Sequence, residues 1–146
     1  MTIAAILHNK GNDIVSVGPH VSIAEVCHTL AEHRIGAVPV TDDADQRHIL
    51  GMLSERDIVR VIATHGAPAL GMSVEQVMTR HIRTASPRVT VTEAMAMMTE
   101  GRFRHLPVLD GDRLVGLVSI GDVVKARIET AEQEAESLKA YVAGSV

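Results

Sequence analysis

Aromatic side chains are almost absent from this chain of 146 residues: Phe103 and Tyr141 are its only two, and it has no tryptophan. The core must therefore be built from Val, Leu, Ile, Ala and Met, and an apolar fraction of 46% is sufficient for one. Basic residues are scattered, and the formal net charge is -4. Without a basic run or aromatic rings on which bases stack, the composition argues against nucleic acid as the main ligand.

Cysteine occurs once, at Cys27, so no disulfide can form within the chain. Its apolar helical surroundings predict that Cys27 packs and does no chemistry. No apolar run approaches the length of a transmembrane helix, which is about 20 residues. The apolar start, residues 1–7, is too short for a signal peptide and lacks a cationic lead. We therefore expect a cytoplasmic protein that makes no use of a membrane.

The chain repeats itself. Segment 19–25 (PHVSIAE) returns as 87–93 (PRVTVTE), and 34–40 (RIGAVPV) returns as 102–108 (RFRHLPV), both 68 residues later. Segment 51–57 (GMLSERD) returns 65 residues later as 116–122 (GLVSIGD). The length fits one compact domain or two small ones that share a core. Duplication predicts two similar halves related by an approximate two-fold axis, so a site built by one half has a counterpart in the other.

Each half has the pattern of a strand, a helix, two strands and a helix. Helix starts are predicted by the capping patterns SIAE at Ser22 and TVTE at Thr90, and Gly101 lies near the second helix's end. In the first half we predict strands at 14–17, 37–41 and 48–53 and helices from 22 to about 34 and over 55–64. In the second half residues 110–112 form a hairpin turn, and a helix runs from 120 to about 141. The strands before Ser54 and Ser119 are almost wholly apolar, which predicts cover on both faces.

The pattern Gly-apolar-apolar-Ser-x-x-Asp occurs twice, each time between a buried strand and a helix. One interpretation is helix capping, in which the Ser hydroxyl accepts a backbone N–H and the acid favours the positive helix end. The other is a ligand site, because free N–H groups at a helix start attract phosphate and a carboxylate accepts from paired ribose hydroxyls. The two interpretations are compatible.

The strands around Pro39 and Pro107, each with the pattern apolar-Pro-apolar, are a second feature that could belong to a ligand site. Proline cannot donate to a β-ladder, so it is confined to edge strands or irregular positions. One interpretation is simply an edge strand. The other is a ligand site, in which the unpaired backbone beside an apolar wall hydrogen-bonds to the edge of a purine.

Taken together, these doubled motifs resemble the paired CBS domains that form a Bateman module, and in particular free-standing bacterial CBS pairs. The resemblance covers roughly residues 10–128. It implies an α+β fold of two β-α-β-β-α repeats related by a pseudo-two-fold axis. The expected division is repeat 1 at 10–64, a linker at 65–73, repeat 2 at 74–128 and a C-terminal helical extension at 129–146.

The resemblance also implies a function: family members bind AMP, ADP, ATP or NAD-type dinucleotides between the two repeats, and they sense or regulate without catalysing. Each cleft takes its Ser and Asp from one repeat and its strand wall from the other. The first cleft is expected to contain Ser54, Arg56, Asp57, Arg104, His105, Leu106 and Pro107. The second is expected to contain Ser119, Gly121, Asp122, Ile35, Gly36, Ala37, Val38 and Pro39, bordered by Lys10, Gly11 and Asp13. Because Gly121 stands where the first motif has Arg56, we expect weaker phosphate binding in the second cleft.

Other classes of function find less support. The eight histidines have no metal-site spacing, and His28 and His33 do not share a clean helical face, so we predict no metal site and no cofactor. No nucleophile and base stand together, so we predict no catalytic residue. The remaining alternative is a structural or protein-interaction scaffold that binds no ligand.

Partners are predicted from the helices. The last helix of each half carries apolar residues beyond what one small core requires, at Ile58, Val59 and Ile62 and at Val123, Val124 and Ile128. A large apolar surface usually marks an interface, which predicts a homodimer. The chain has no second domain to catalyse a reaction, so we expect it to act on a separate, unidentified protein. The charged segment 129–139 is interpreted as a solvated helix face.

Overall fold

The computed structural model describes residues 1–11 and 13–144. Its elements, in chain order, are α1 (Ile3–Lys10), α2 (Ile23–His33), β1 (Ala37–Thr41), β2 (Ile49–Ser54), α3 (Glu55–His65), a 3-10 helix (Ala67–Gly71), α4 (Val74–Val77), α5 (Val91–Gly101), β3 (His105–Asp110), β4 (Arg113–Ser119) and α6 (Ile120–Gly144). The predicted helices and the two hairpin strands of each half are confirmed, with ends that differ by a few residues at most. The apolar start was not predicted to be a helix, and it forms α1.

Each half contains one two-stranded antiparallel sheet, β1 with β2 and β3 with β4. Pro39 lies opposite Met52, and Pro107 lies opposite Leu117. The register shifts after Val40 in the first sheet and after Val108 in the second, 68 residues apart. The duplication therefore extends to the irregularities of the sheets.

The strand predicted at 14–17 is wrong: it is reduced to one parallel bridge between Val17 and Val40. The Val17 N–H donates to the Pro39 carbonyl at 3.1 Å, and the Thr41 N–H donates to the Val17 carbonyl at 2.9 Å. Extending this parallel ladder toward residue 15 would need an N–H on Pro39, which proline lacks. Ala85 makes the matching bridge to Val108 beside Pro107. The prolines thus end the pairing on the free edge of each sheet.

The two cores exchange segments across the predicted repeat boundaries. Ile3 of α1 is fully buried in the core of the second half, and its N–H donates to the Val89 carbonyl at 2.8 Å. Val74 of α4 is fully buried in the core of the first half, and its N–H donates to the Val21 carbonyl at 2.9 Å. The second half is therefore completed by α1, which precedes the first half in sequence. The first half is completed by α4, which precedes the second. Burial of both helices ties the halves together.

Helix ends also follow the repeat. Ser22 and Thr90 cap α2 and α5 by accepting the N–H of Glu25 and Glu93. Both helices end on an arginine in the left-handed region, Arg34 with φ 55° and Arg102 with φ 54°. The predicted helix end near Gly101 is confirmed, since α5 ends at Gly101 and the left-handed residue that follows it is Arg102.

Cover of the apolar strands is uneven. The centre of β2 is buried, whereas β4 alternates between buried residues and the half-buried Val115 and Leu117. The expected cover on both faces is thus found only at the centre of β2. Cys27 packs against the first core, as predicted, and Met95, Met97 and Met98 belong to the second. Within residues 1–11 and 13–144, no helix combines the length and apolar character needed to cross a bilayer.

Candidate functional site

A cavity of about 570 Å³ lies between the two halves. The first half lines it with the start of β1, the end of β2 and the first turns of α3, and the second half with the end of α5 and the start of β3. The chain that follows α4 closes a further side. The lining residues are Gly36, Ala37, Met52, Ser54, Glu55, Arg56, Asp57, Arg60, Thr79, His81, Ile82, Arg83, Gly101, Arg102, Phe103, Arg104, His105 and Pro107.

Ser54 and Asp57 form a reciprocal cap at the start of α3. The Asp57 N–H donates to Ser54 Oγ at 3.3 Å, and the Ser54 N–H donates to Asp57 Oδ2 at 3.0 Å. The other carboxylate oxygen, Oδ1, accepts a hydrogen bond from the Thr79 hydroxyl at 3.2 Å. The capping interpretation is therefore correct, and the same carboxylate lines the cavity. A cap that also faces a cleft is compatible with ligand binding.

The cavity is rich in cationic side chains. Five arginines line it, together with His81 and His105, against the two carboxylates of Glu55 and Asp57. The arginines are Arg56, Arg60, Arg83, Arg102 and Arg104. Arg56 Nη1 donates to the Arg102 carbonyl oxygen at 3.4 Å, so a side chain of the first half reaches the backbone of the second. Guanidinium groups gathered in this way suit an anionic ligand such as a phosphate.

His105 lies where the two halves approach each other. Its Cε1 atom is 3.5 Å from where a side chain on Gly36 would begin. Burial lowers the pKa of His105 below 6.5, and the charges of Lys10 and Arg104 lower it further, while Glu55 and Asp122 partly oppose the shift. His105 lines the first cavity, and with Ile120, the residue after Ser119 of the second motif, it also lines the adjoining groove.

The second motif repeats the cap with a different partner. The Ser119 N–H donates to Asp122 Oδ2 at 2.9 Å, and the Asp122 N–H donates to Ser119 Oγ at 3.1 Å. Lys10 Nζ lies 2.7 Å from Asp122 Oδ2 and 3.0 Å from the Leu117 carbonyl oxygen. Burial by itself would raise the pKa of Asp122, but the hydrogen bonds from Lys10 and the Ser119 backbone hold it below its usual value.

The predicted residues of the first cleft come together, with one exception. The cavity wall includes Ser54, Arg56, Asp57, Arg104, His105 and Pro107, whereas Leu106 is fully buried in the core of the second half. Alternation along β3 explains the exception, because neighbouring side chains of a strand point to opposite faces.

The wall predicted for the second cleft lies partly elsewhere. Gly36 and Ala37 line the first cavity, and Val38 is fully buried in the core. Pro39 is buried, Ile35 packs against the first core, and Gly11, Asp13 and Gly121 are exposed. Of the residues expected to border this cleft, Lys10 contacts Asp122. Because Gly36 of the first half lies beside His105 of the second, a residue assigned to one cleft also reaches the other.

The sequence analysis missed Thr79, His81 and Arg83, which follow α4, and Arg60, which follows Asp57 by three residues in α3. It also missed Arg102, which follows α5. A signal for the first group was available. The chain after α1 was assigned to the second cleft, so the two-fold relation requires the chain after α4 to border the first. Arg60 follows from helical spacing, since residues three apart share a helix face.

Comparison with known proteins agrees with this geometry. A family model described as CBS domain matches residues 7–64 and 74–129. The CBS domain-containing protein YhcV of Bacillus subtilis is 30% identical over 121 residues, which are 83% of this chain and 84% of that protein. The mitochondrial CBS domain-containing protein CBSX3 of Arabidopsis thaliana is 33% identical over 84% of this chain, but the chain spans only 61% of its length.

Solved structures give the same result. A CBS-domain containing protein from Agrobacterium tumefaciens has a TM-score of 0.82 and 47% identity, and the match covers 86% of this chain and 92% of that one. A CBS domain protein from Pyrobaculum aerophilum, described as complexed with AMP, has a TM-score of 0.74 and 26% identity over 84% of this chain and 89% of that one. Both share the two-repeat arrangement described above.

Proposed function

Since the chain belongs to the CBS-domain family and contains two copies of the domain, we propose that it is a regulatory module that binds an adenine nucleotide between them. The ligand is AMP, ADP, ATP or a dinucleotide of the NAD type. The observation that carries the proposal is Asp57, a carboxylate at a strand-to-helix junction that lines a cavity ringed by arginines from both halves.

The cavity suits a nucleotide in size and in chemistry. Its volume of about 570 Å³ falls within the range of small-molecule sites, about 300–1,000 Å³. Asp57 Oδ1 accepts only a neutral hydroxyl from Thr79, so this oxygen remains able to accept from a ribose hydroxyl. Pro107, Ala37 and Met52 offer apolar surface to the flat face of a base.

Phosphate is the natural partner for the cationic rim. Arg56 and Arg104 come from different repeats, and an anion between them would draw the halves together. Ligand binding would thus change the relative position of the two halves. A separate protein that recognises one of these positions could be regulated in this way without any catalytic residue in the module. The AMP complex of the Pyrobaculum aerophilum relative supports an adenine nucleotide as the ligand.

Assembly and location complete the proposal. Val59 and Ile62 on α3 and Val124 and Ile128 on α6 are exposed apolar residues, which supports a homodimer as the working form. The regulated partner is a separate protein, and the setting is the cytoplasm.

Calorimetric titration with AMP tests the binding proposal. We expect saturable binding to the wild type and a loss of about 1.5–3 kcal/mol in binding free energy for Asp57→Ala, because a charge-assisted hydrogen bond to ribose is removed. Asp112→Ala, which removes an exposed carboxylate from the β3–β4 turn, is the matched control. Thermal melting of both variants separates loss of binding from loss of the α3 cap.

The second candidate function is a scaffold that holds partner proteins without a ligand. The reciprocal Ser54–Asp57 cap favours it, since capping alone explains both residues. In that case AMP, ADP, ATP and NAD all fail to bind the wild type, and mass spectrometry of the purified protein releases no nucleotide.

A further inference from the structure

The two clefts differ most in what holds the motif aspartate. At Asp122 the partner is a cation: Lys10 Nζ lies 2.7 Å from Oδ2. At Asp57 it is the Thr79 hydroxyl, and within residues 1–11 and 13–144 no ion pair involves Asp57. The ammonium of Lys10 also lies 3.0 Å from the Leu117 carbonyl oxygen, so it bridges the end of β4 and the first turn of α6.

The backbone that carries Lys10 is firmly held. Lys10 is the last residue of α1, and Ile3 and Leu7 of the same helix are buried in the second core. A methyl group on the Gly116 Cα would lie 2.5 Å from the Leu7 side chain, so the helix fits directly against β4. Lys10 therefore reaches Asp122 from a fixed base, and less conformational entropy is lost when the pair forms.

Resting on the proposed function, we propose that Lys10 occupies the ribose-binding position of the second cleft, so that each chain binds one nucleotide, in the cleft of Asp57. The capping oxygen of Asp122, Oδ2, already accepts the ammonium as well as the Ser119 N–H, so the ammonium competes with ribose hydroxyls for this carboxylate. A ribose would have to displace a charged donor with a neutral one. In the first cleft the ribose hydroxyl replaces only the Thr79 hydroxyl, so one neutral donor is exchanged for another.

The stoichiometry of AMP binding tests this inference. We expect one AMP per chain for the wild type and two for Lys10→Met, which keeps the apolar stem and removes the ammonium. Lys10→Arg retains the cation and is expected to bind one. Lys125→Met, which removes an exposed lysine from α6, is the matched control and is also expected to bind one.

A double variant identifies the cleft that opens. Asp57→Ala alone is expected to bind AMP roughly 10- to 100-fold more weakly than the wild type, whereas Lys10→Met with Asp57→Ala is expected to regain one tightly bound AMP per chain. Two AMP per wild-type chain, or one per Lys10→Met chain, overturns the inference and leaves the proposed function standing. No binding to the wild type overturns the proposed function itself. If Lys10→Met does not fold, Lys10→Gln and the wild-type stoichiometry decide the question.

An independent observation concerns the end of α6, beyond the matched domain. Val123 and Ala126 face the core, whereas every residue from 131 to 144 is exposed. Apolar residues continue along the side away from the core at alternating spacings of three and four. They are Val124, Ile128, Ala131, Ala135 and Leu138, with Leu138 64% exposed. This is the heptad spacing of a coiled-coil seam, with Ile128 and Ala135 at a positions and Ala131 and Leu138 at d positions.

Charges beside the seam indicate the partner and its direction. In a parallel pair of helices each g residue faces the e residue of the following heptad on the other helix. Here Arg127 at g would face Glu132 of the partner subunit, and Glu134 at g would face the partner's Lys139. Both pairs are of opposite charge. We propose that the end of α6 forms a parallel, in-register coiled coil with a second copy of this chain, in which Ala131 and Ala135 allow close approach.

Cysteine cross-linking tests the coiled coil in the full-length protein. With Cys27→Ser as background, Leu138→Cys at a d position is expected to form an interchain disulfide under mild oxidation. Ala140→Cys, on the opposite face of the same exposed turn, is expected not to do so. A charge cycle adds a second readout: Glu134→Lys weakens the dimer, and Lys139→Glu added to it restores the dimer. Equal cross-linking at 138 and 140, or no cross-linking at 138, overturns the proposal.

Discussion

Leu7 occupies the space above Gly116 that a side chain on β4 would need. A methyl group on the Gly116 Cα would lie 2.5 Å from Leu7 Cδ2. The first half has the same arrangement, since a methyl group on Gly51 would lie 2.6 Å from the Thr79 carbonyl oxygen. The glycine of the second Gly-x-x-Ser-x-x-Asp motif thus admits α1, and that of the first motif admits the chain that follows α4.

Gly116→Ala is expected to lower the free energy of unfolding by about 1–3 kcal/mol, the usual cost of forcing an extra carbon into a packed core. Urea denaturation measures the change. Gly71→Ala is the control, because nothing lies within 4 Å of a methyl group there. Equal stability of the wild type and Gly116→Ala would show that α1 does not pack against β4 in solution.

Arg104→Ala is expected to reduce the preference for AMP over adenosine by roughly tenfold, about 1.4 kcal/mol, at low salt. The arginine lines the first cavity, and because its side chain is exposed the effect should shrink as salt screens it. Titrations with both ligands at two salt concentrations measure it, with the exposed Arg88→Ala as the control for charge. An unchanged preference and salt dependence would mean that Arg104 faces solvent and not phosphate.

His105 makes stability depend on pH in a predictable direction. Its pKa is lowered in the folded state, chiefly by burial and then by Lys10, so the unfolded chain binds this proton more readily. The stability it contributes is complete above about pH 6.5 and is lost as the pH falls from 6.5 through the lowered folded value. The excess stability of wild type over His105→Asn should therefore shrink as the pH falls below about 6.5. Denaturation above about pH 7.5 provides the baseline, where the excess should be constant. A stability difference between wild type and His105→Asn that grows as the pH falls would contradict the prediction.

A homodimer at tens of micromolar is expected from the exposed apolar residues of α3 and α6. Val59 is 66% exposed and Ile128 is 53% exposed, although both are apolar. Val59→Asp is expected to weaken the dimer at least tenfold, because it buries a charge in the contact. Thr64→Asp adds the same charge elsewhere on α3. Light scattering measures both, and a monomeric wild type would contradict the prediction.

The sequence by itself determined the elements and their duplication. Capping residues, hairpin turns and apolar spacing are local signals, so the ends of α2, β1 and α3 were predicted to within a residue or two. Six of the seven residues predicted for the first cleft line the cavity, because they belong to doubled motifs and the resemblance implied that each cleft takes its walls from both repeats. Local pattern also predicted the edge character of the Pro39 and Pro107 strands.

Only the tertiary structure decided how the halves complete each other. No local signal in residues 1–10 predicts that α1 packs into the second half. Equally, none in residues 74–77 predicts that α4 packs into the first half. That choice depends on where a groove above Gly116 or Gly51 is open. The contact of Lys10 with Asp122, 112 positions apart, follows from this packing and not from any motif. Arg60, Arg83 and Arg102 of the first cavity were equally hidden, because basic residues outside a motif show a common role only when folding brings them to one surface.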